Sequence, residues 1–169
     1  MDYEKAAGYW LEKDKNSVHM DREALEEELE TFIDAHTVCA LATADLKGNV
    51  RCTPIEYCFL DRKFWMLSEG GLKFRGLEQN KRVSLAIFDS NPDFGTLGGM
   101  QISGTAEIIE PWTEEYLALL KYRHIPEKTM RQLPEPLNLI CVTPEEIDYL
   151  NSGLKEQGYS SRQHWDRES

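Results

Sequence analysis

The chain has 169 residues, with 19 Lys and Arg against 30 Asp and Glu, and a net charge of −11 at pH 7. That length suits one domain with a core of its own, and 41% hydrophobic with 10% aromatic residues exclude a disordered chain. The acidity argues against nucleic acid as a partner, and no apolar run reaches the roughly 18–20 residues a membrane helix needs.

Met1-Asp2-Tyr3-Glu4-Lys5 has no basic region followed by an apolar one, so a cytoplasmic location is expected. Residues 3–13, with Tyr9, Trp10 and Leu11, read as a short helix. Asp21 then offers a carboxylate to the orphan amides of a helix start. Leu25, Leu29, Phe32, Ile33 and His36 follow on one face. This is an amphipathic helix whose Glu26–Glu30 run reads as a solvated face.

From Val38 the pattern changes to strands. Residues 38–43 form a short apolar run, and Asp45 to Asn49 supply a turn. Residues 50–60 read as one long strand, and Pro54 within it demands an edge or a bulge. Residues 64–68 pair back as a hairpin. A short helix is expected over 72–79, strands over 83–89 and 100–109, and a loop over 90–99. Thr113 caps a helix running to Tyr122, residues 125–136 are loop-rich or briefly helical, and 138–142 is a strand. Thr143-Pro144-Glu145-Glu146 reads as a tight turn into a further short strand. About six strands in antiparallel hairpins, with helices attached, predict a mainly β, α+β fold built as a closed or half-closed barrel.

The segment from Phe64 to Val83 carries most of the chemistry. A strand ends at Ser68, Gly70 and Gly71 free the backbone, and Lys73 and Arg75 open a short helix. A hydroxyl, cations and exposed amides are the parts of a phosphate site. Solvated cations beside an ordinary turn give the same pattern, and Arg51 reads equally as an ion-pair partner. Cys39, Cys52, Cys58 and Cys141 include no C-x-x-C pair and read as buried thiols of a reducing compartment. His19, His36, His124 and His164 lack metal-ligand spacing. Trp10, Trp65 and Trp112 read as packing residues. Ser68 lacks G-x-S-x-G context, which excludes a hydrolase reading.

The order of these segments resembles the FMN-binding split-barrel superfamily of pyridoxamine 5′-phosphate oxidase-like proteins. The resemblance covers roughly residues 21–165. It is carried by Phe32-Ile33-Asp34, Cys39 to Thr43, Gly48 to Ile55, Ser68 with Lys73, Leu77 to Val83, Gln101 to Glu107, and the tail Tyr159 to Trp165. It implies a six-stranded antiparallel split barrel over 38–151, a helical segment over 1–37, and a tail over 152–169 reaching the flavin, all in one domain. It implies FMN held by Arg51, Thr53, Pro54, Ile55, Ser68, Lys73, Gln101 and Trp165, in a homodimer sharing two sites. Ser68, Lys73 and Arg51 would meet the phosphate, residues 53–55 would border the ring, and Trp165 would close over it. An acidic chain needs a local cluster such as Arg51, Lys73 and Arg75 to hold the roughly two negative charges of that phosphate.

Two departures stand out. Leu72 occupies a position where the oxidases tend to have a second cation. Arg162-Gln163-His164-Trp165-Asp166-Arg167 interrupts their R-x-H-D-R substrate signature with a tryptophan. Vitamin B6 oxidation is therefore not expected. The resemblance implies instead a flavin-dependent oxidoreductase that acts by hydride transfer on a small molecule, such as an electron-poor aromatic, with a reduced nicotinamide as a possible donor. The alternative is a non-enzymatic flavin- or haem-binding module for storage or sensing. No metal site and no catalytic residue are assigned.

Overall fold

The computed structural model describes residues 17–93 and 95–168, together with residues 2, 5, 8, 9 and 12. Most of the helix expected over 3–13, including Trp10 and Leu11, lies outside the described residues. Helix α1 spans Arg22–Asp34. The Ala24 amide donates to Asp21 Oδ1 at 2.9 Å, a cap that contributes about 1 kcal/mol. Its apolar stripe contributes more. Leu25, Leu29, Phe32 and Ile33 are all buried, each stabilising by about 1.5–3 kcal/mol. Packing therefore outweighs capping in fixing α1.

Eight strands form one curled sheet, β1 (Val38–Ala44), β2 (Val50–Glu56), β3 (Cys58–Leu60), β4 (Lys63–Ser68), β5 (Arg82–Phe88), β6 (Gly98–Ile109), β7 (Asn138–Asn151) and β8 (Arg162–Asp166). The order across the sheet is β2-β1-β5-β6-β7-β4-β3, with β8 also paired to β7. All the pairings are antiparallel. One edge of β7 runs along β6, and the other is shared by β4 at Asn138–Val142 and β8 at Glu146–Leu150. Helix α2 (Lys73–Gln79) joins β4 to β5, while α3 (Glu114–Tyr122) and α4 (Glu127–Met130) lie between β6 and β7.

The class is as expected, and the strand count is eight rather than six. The strand predicted over 50–60 breaks at Tyr57, whose hydroxyl donates to the Ile33 carbonyl at 2.7 Å. The tail adds β8. The turn expected at Thr143–Glu146 is instead continuous strand. There the register shifts between Ser103 and Gly104, which face Glu146 and Pro144 and leave Glu145 as the extra residue of a bulge. Pro144 lacks the N–H of a regular ladder, and a side chain at Gly104 would collide with the Thr143 carbonyl. The main core lies between α1 and the inner sheet face. A second cluster around Tyr116, Leu119, Leu120 and Met130 packs against Cys58, Trp65 and Leu67 on the other side.

Candidate functional site

The end of β4 is shaped by glycine. Gly70 and Gly71 have φ of 130° and 108°, a region that a side chain strongly disfavours. The chain therefore folds back on Ser68, whose Oγ accepts from the Gly70 amide at 3.2 Å. Lys73 reaches into the same turn and donates from Nζ to the Gly70 carbonyl at 2.6 Å. It is only 8% exposed, and burial pushes its pKa below the ordinary lysine value. Among the described residues no carboxylate lies within ion-pair distance of it. A buried charge without a counter-charge is costly, and an anion placed here would offset that cost.

Strand β2 supplies the other side. Arg51 is opposite Thr43, Thr53 opposite Leu41 and Ile55 opposite Cys39 on the β1–β2 ladder. Opposed residues share a face, and Thr43, Leu41 and Cys39 are buried on the inner one. Arg51, Thr53 and Ile55 therefore belong to the inner face, at the open edge of the sheet. Ser68 shares that face with the buried Phe64 and Met66 of its own strand. Helix α2 closes the junction, with Gly76 held against Thr43, where an added Cβ would lie 3.2 Å from the Thr43 side chain. Thr43 Oγ1 is buried and has no hydrogen-bond partner among the described residues. Arg51 and Arg75 are exposed, and neither forms an ion pair among the described residues.

The remaining expected residues lie elsewhere. Pro54 and Gln101 face outward, in the row Pro54–Ala40–Ala86–Gln101–Asp148–His164 that crosses six strands. Trp165 faces inward and is 8% exposed. Its Nε1 donates to Glu26 Oε1 at 2.9 Å. Its ring is therefore packed beneath α1, not open on the surface of its own subunit. The neighbour His164 takes the outward position. Its Nδ1 donates to Asp148 Oδ1 at 2.9 Å, which leaves Nε2 with no protein partner among the described residues. A groove of about 650 Å³ lies here, lined by Phe88, Gln101, Asp148, Arg162 and His164 among others. A second cleft of about 730 Å³ flanks the other side of Phe88, between Val38, Pro54, His36 and Asp89.

Sequence reasoning missed three features. Glu26 and Glu28 are not merely solvated. Glu26 accepts from Trp165 and pairs with Arg62 and Arg22, and Glu28 accepts from Tyr149 at 2.8 Å and Asn151 at 3.1 Å. The His164–Asp148 pair joins residues 16 positions apart, and only the β7–β8 register reveals it. Of the thiols, Cys39 and Cys141 are buried, but Cys58 is half-buried and Cys52 exposed. The exposure of Cys52 follows from its outward position on the edge strand β2.

The sequence profile described as pyridoxamine 5′-phosphate oxidase matches residues 25–151, well over half of the 169. The chain belongs to the pyridoxamine 5′-phosphate oxidase family. No curated protein matches the sequence. Among solved structures it is similar to HutZ, a haem storage protein from Vibrio cholerae. That match has a TM-score of 0.59 at 21% identity, over 72% of this chain and 90% of that one. A FAD-binding protein from Mesorhizobium loti gives 0.59 at 19% identity, over 72% and 89%. ChuZ from Campylobacter jejuni gives 0.65 at 15%, over 88% of this chain but only 62% of ChuZ. At these identities the likeness establishes the family fold, and the ligand has to be argued from the residues. No described helix is long and apolar enough to cross a membrane.

Proposed function

We propose that the chain is an FMN-binding protein whose cradle of Ser68, Gly70 and Lys73, with Arg51 and Arg75 beside it, takes the phosphate. The observation that carries this is Lys73, a buried cation with a carbonyl for a partner and no counter-charge among the described residues. A phosphate dianion supplies that charge and gains charge-assisted hydrogen bonds from Lys73 and the Ser68 hydroxyl. Bound flavin supplies hydride-transfer chemistry, and the protein supplies orientation and electrostatics. Thr53 and Ile55 offer the inner edge of β2 as a border for the ring, and Pro54 offers its outer side.

Gln101 and the tail cannot reach that flavin within one subunit. Gln101 faces outward, three strand spacings or about 14 Å from Pro54, and Trp165 is packed inward beneath α1. This favours a homodimer in which one protomer gives the cradle and its partner gives the outer groove. The outer face of β2, β1, β5 and β6 suits such an interface. Cys52, Pro54, Ala40, Ala42, Ser84 and Ala86 carry no charge and flank the exposed Val38, Val50 and Phe88. Charge returns around this patch, in the Glu56–Arg123 and Arg82–Glu145 pairs and at Glu107 and Asp148. Uncharged patches of this kind mark protein interfaces. The reaction is hydride transfer to or from a small molecule, with a reduced nicotinamide as donor, and not vitamin B6 oxidation.

A second reading rests on His164. An imidazole held by a carboxylate at the wall of a groove of about 650 Å³ is a donor that suits haem iron. Storage or sensing then replaces turnover. An absorbance spectrum of the purified protein from about 300 to 700 nm, followed by FMN and hemin titrations, separates the readings. Flavin bands or saturable FMN binding support the first, and a Soret band supports the second. No colour and no affinity for either ligand overturn both.

A further inference from the structure

Strand β8 is five residues long and, among the described strands, pairs with β7 alone. A five-residue edge strand has few ladder hydrogen bonds and needs side-chain contacts to fix its orientation. Those contacts are on the inner face. Trp165 Nε1 donates to Glu26, and the same carboxylate holds Arg62 and Arg22, with Arg22 Nε at 3.1 Å. The Arg22 guanidinium lies 5.5 Å above the Trp165 ring and also donates from Nη1 to the Asp166 carbonyl at 3.2 Å. Gln163, the other inward residue, accepts from the Met20 amide at 3.1 Å and donates to the Ser160 carbonyl at 2.8 Å. Because successive side chains alternate between faces, holding Trp165 inward holds His164 outward, opposite its ladder partner Asp148.

We infer that Glu26 is a positioning residue for the outer groove, clamping Trp165 beneath α1 so that His164 is presented to the ligand on the opposite face of the sheet. The inference rests on the reading of that groove as ligand-facing. Glu26 itself touches only the inner side and makes no contact with the groove. Its carboxylate accepts three donors from three elements, α1, the β3–β4 turn and β8, which is far more than a solvated helix face requires. Without it, β8 keeps its backbone ladder but loses the contact that fixes its angle to α1. The His164–Asp148 geometry loosens with it.

The test compares Glu26→Ala, Glu26→Gln and Trp165→Phe with the wild-type chain. Acylation of His164 by diethyl pyrocarbonate, read by mass spectrometry, reports the pairing with Asp148. Hemin titration reports presentation to the groove. Glu26→Ala is expected to raise the His164 acylation rate at least threefold and to weaken hemin binding at least tenfold, with unchanged circular dichroism. Trp165→Phe keeps an aromatic ring but lacks the N–H, and should behave like Glu26→Ala. Glu26→Gln still offers an oxygen to Trp165 and should stay within about twofold of the wild type. Wild-type acylation and hemin affinity in a folded Glu26→Ala variant would overturn the inference. If the wild-type chain itself binds no hemin, the ligand reading of the groove fails, while the acylation comparison still decides the role of Glu26.

Discussion

Lys73 donates to the Gly70 carbonyl at 2.6 Å and meets no carboxylate among the described residues, although its side chain is among the few buried charged or polar ones there. Burying that charge costs the ligand-free fold, and a bound anion would offset the cost. Replacing Lys73 with Met removes the buried charge and keeps most of the stem. The ligand-free variant should be as stable as the wild type or more stable by about 1–2 kcal/mol. The same variant should lose the stabilisation that FMN gives the wild-type chain. Thermal unfolding with and without FMN checks both halves, and a large loss of stability without ligand would show that Lys73 is a structural residue.

Gly70 holds φ at 130° to bring its amide onto Ser68 and its carbonyl onto Lys73. Gly70→Ala forces a side chain into that conformation, at a cost on the order of 1–3 kcal/mol. The chain can relieve it by turning the loop, which scatters the cradle. FMN affinity should therefore fall by at least tenfold, measured by fluorescence titration. Gly48 also has positive φ, at 80°, but sits in the exposed β1–β2 turn with open space around it. Gly48→Ala should carry a similar strain and leave affinity unchanged.

The buried thiols, together with the buried Tyr57 and Tyr149 hydroxyls whose pKa burial also raises, lower stability at alkaline pH. Burial pushes Cys39 up to about 12 and Cys141 up to about 11, from an ordinary value of 9.0. Both are protonated in the fold and ionise on unfolding above pH 9, so the unfolded state binds fewer protons and stability falls as pH rises. Each thiol withdraws about 1.4 kcal/mol by pH 10. Urea midpoints from pH 8 to 10.5 should fall steadily, and the fall should be shallower in Cys39→Ala than in the wild-type chain. Equal slopes in the two proteins would contradict the assignment to Cys39.

The outer sheet face gives a test of assembly. Ala40 and Ala86 sit side by side in the row from Pro54 to Gln101, and a long cation there opposes burial against a second copy. Ala86→Arg should run as a monomer in sedimentation velocity and bind FMN at least tenfold more weakly, because the partner's groove no longer reaches the cradle. A monomeric wild-type chain that still binds FMN would remove the shared site.

Much of the fold was legible because burial imposes its own period. The stripe from Leu25 to Ile33, the Asp21 cap and the Ser68 to Lys73 turn all follow from local chemistry, and each is present. What escaped was set by pairing across long sequence distances. Thr143-Pro144-Glu145-Glu146 has the local composition of a turn, but β6 runs alongside it and Gly104 makes room for the bulge. The resemblance put Trp165 over the flavin ring, and nothing local shows that Glu26, 139 positions earlier, takes its N–H. The same pairing turned His164 toward Asp148 and brought an unforeseen imidazole to the groove.

The most direct measurement is a paired equilibrium titration of FMN and riboflavin against the wild-type chain and Lys73→Ala. The two ligands share the ring and differ in the phosphate. The wild-type chain should bind FMN at about one per chain and at least tenfold more tightly than riboflavin, and Lys73→Ala should erase most of that difference. Equal affinity for the two ligands in the wild-type chain, or an undiminished preference for FMN in the variant, would contradict a phosphate cradle at Ser68, Gly70 and Lys73.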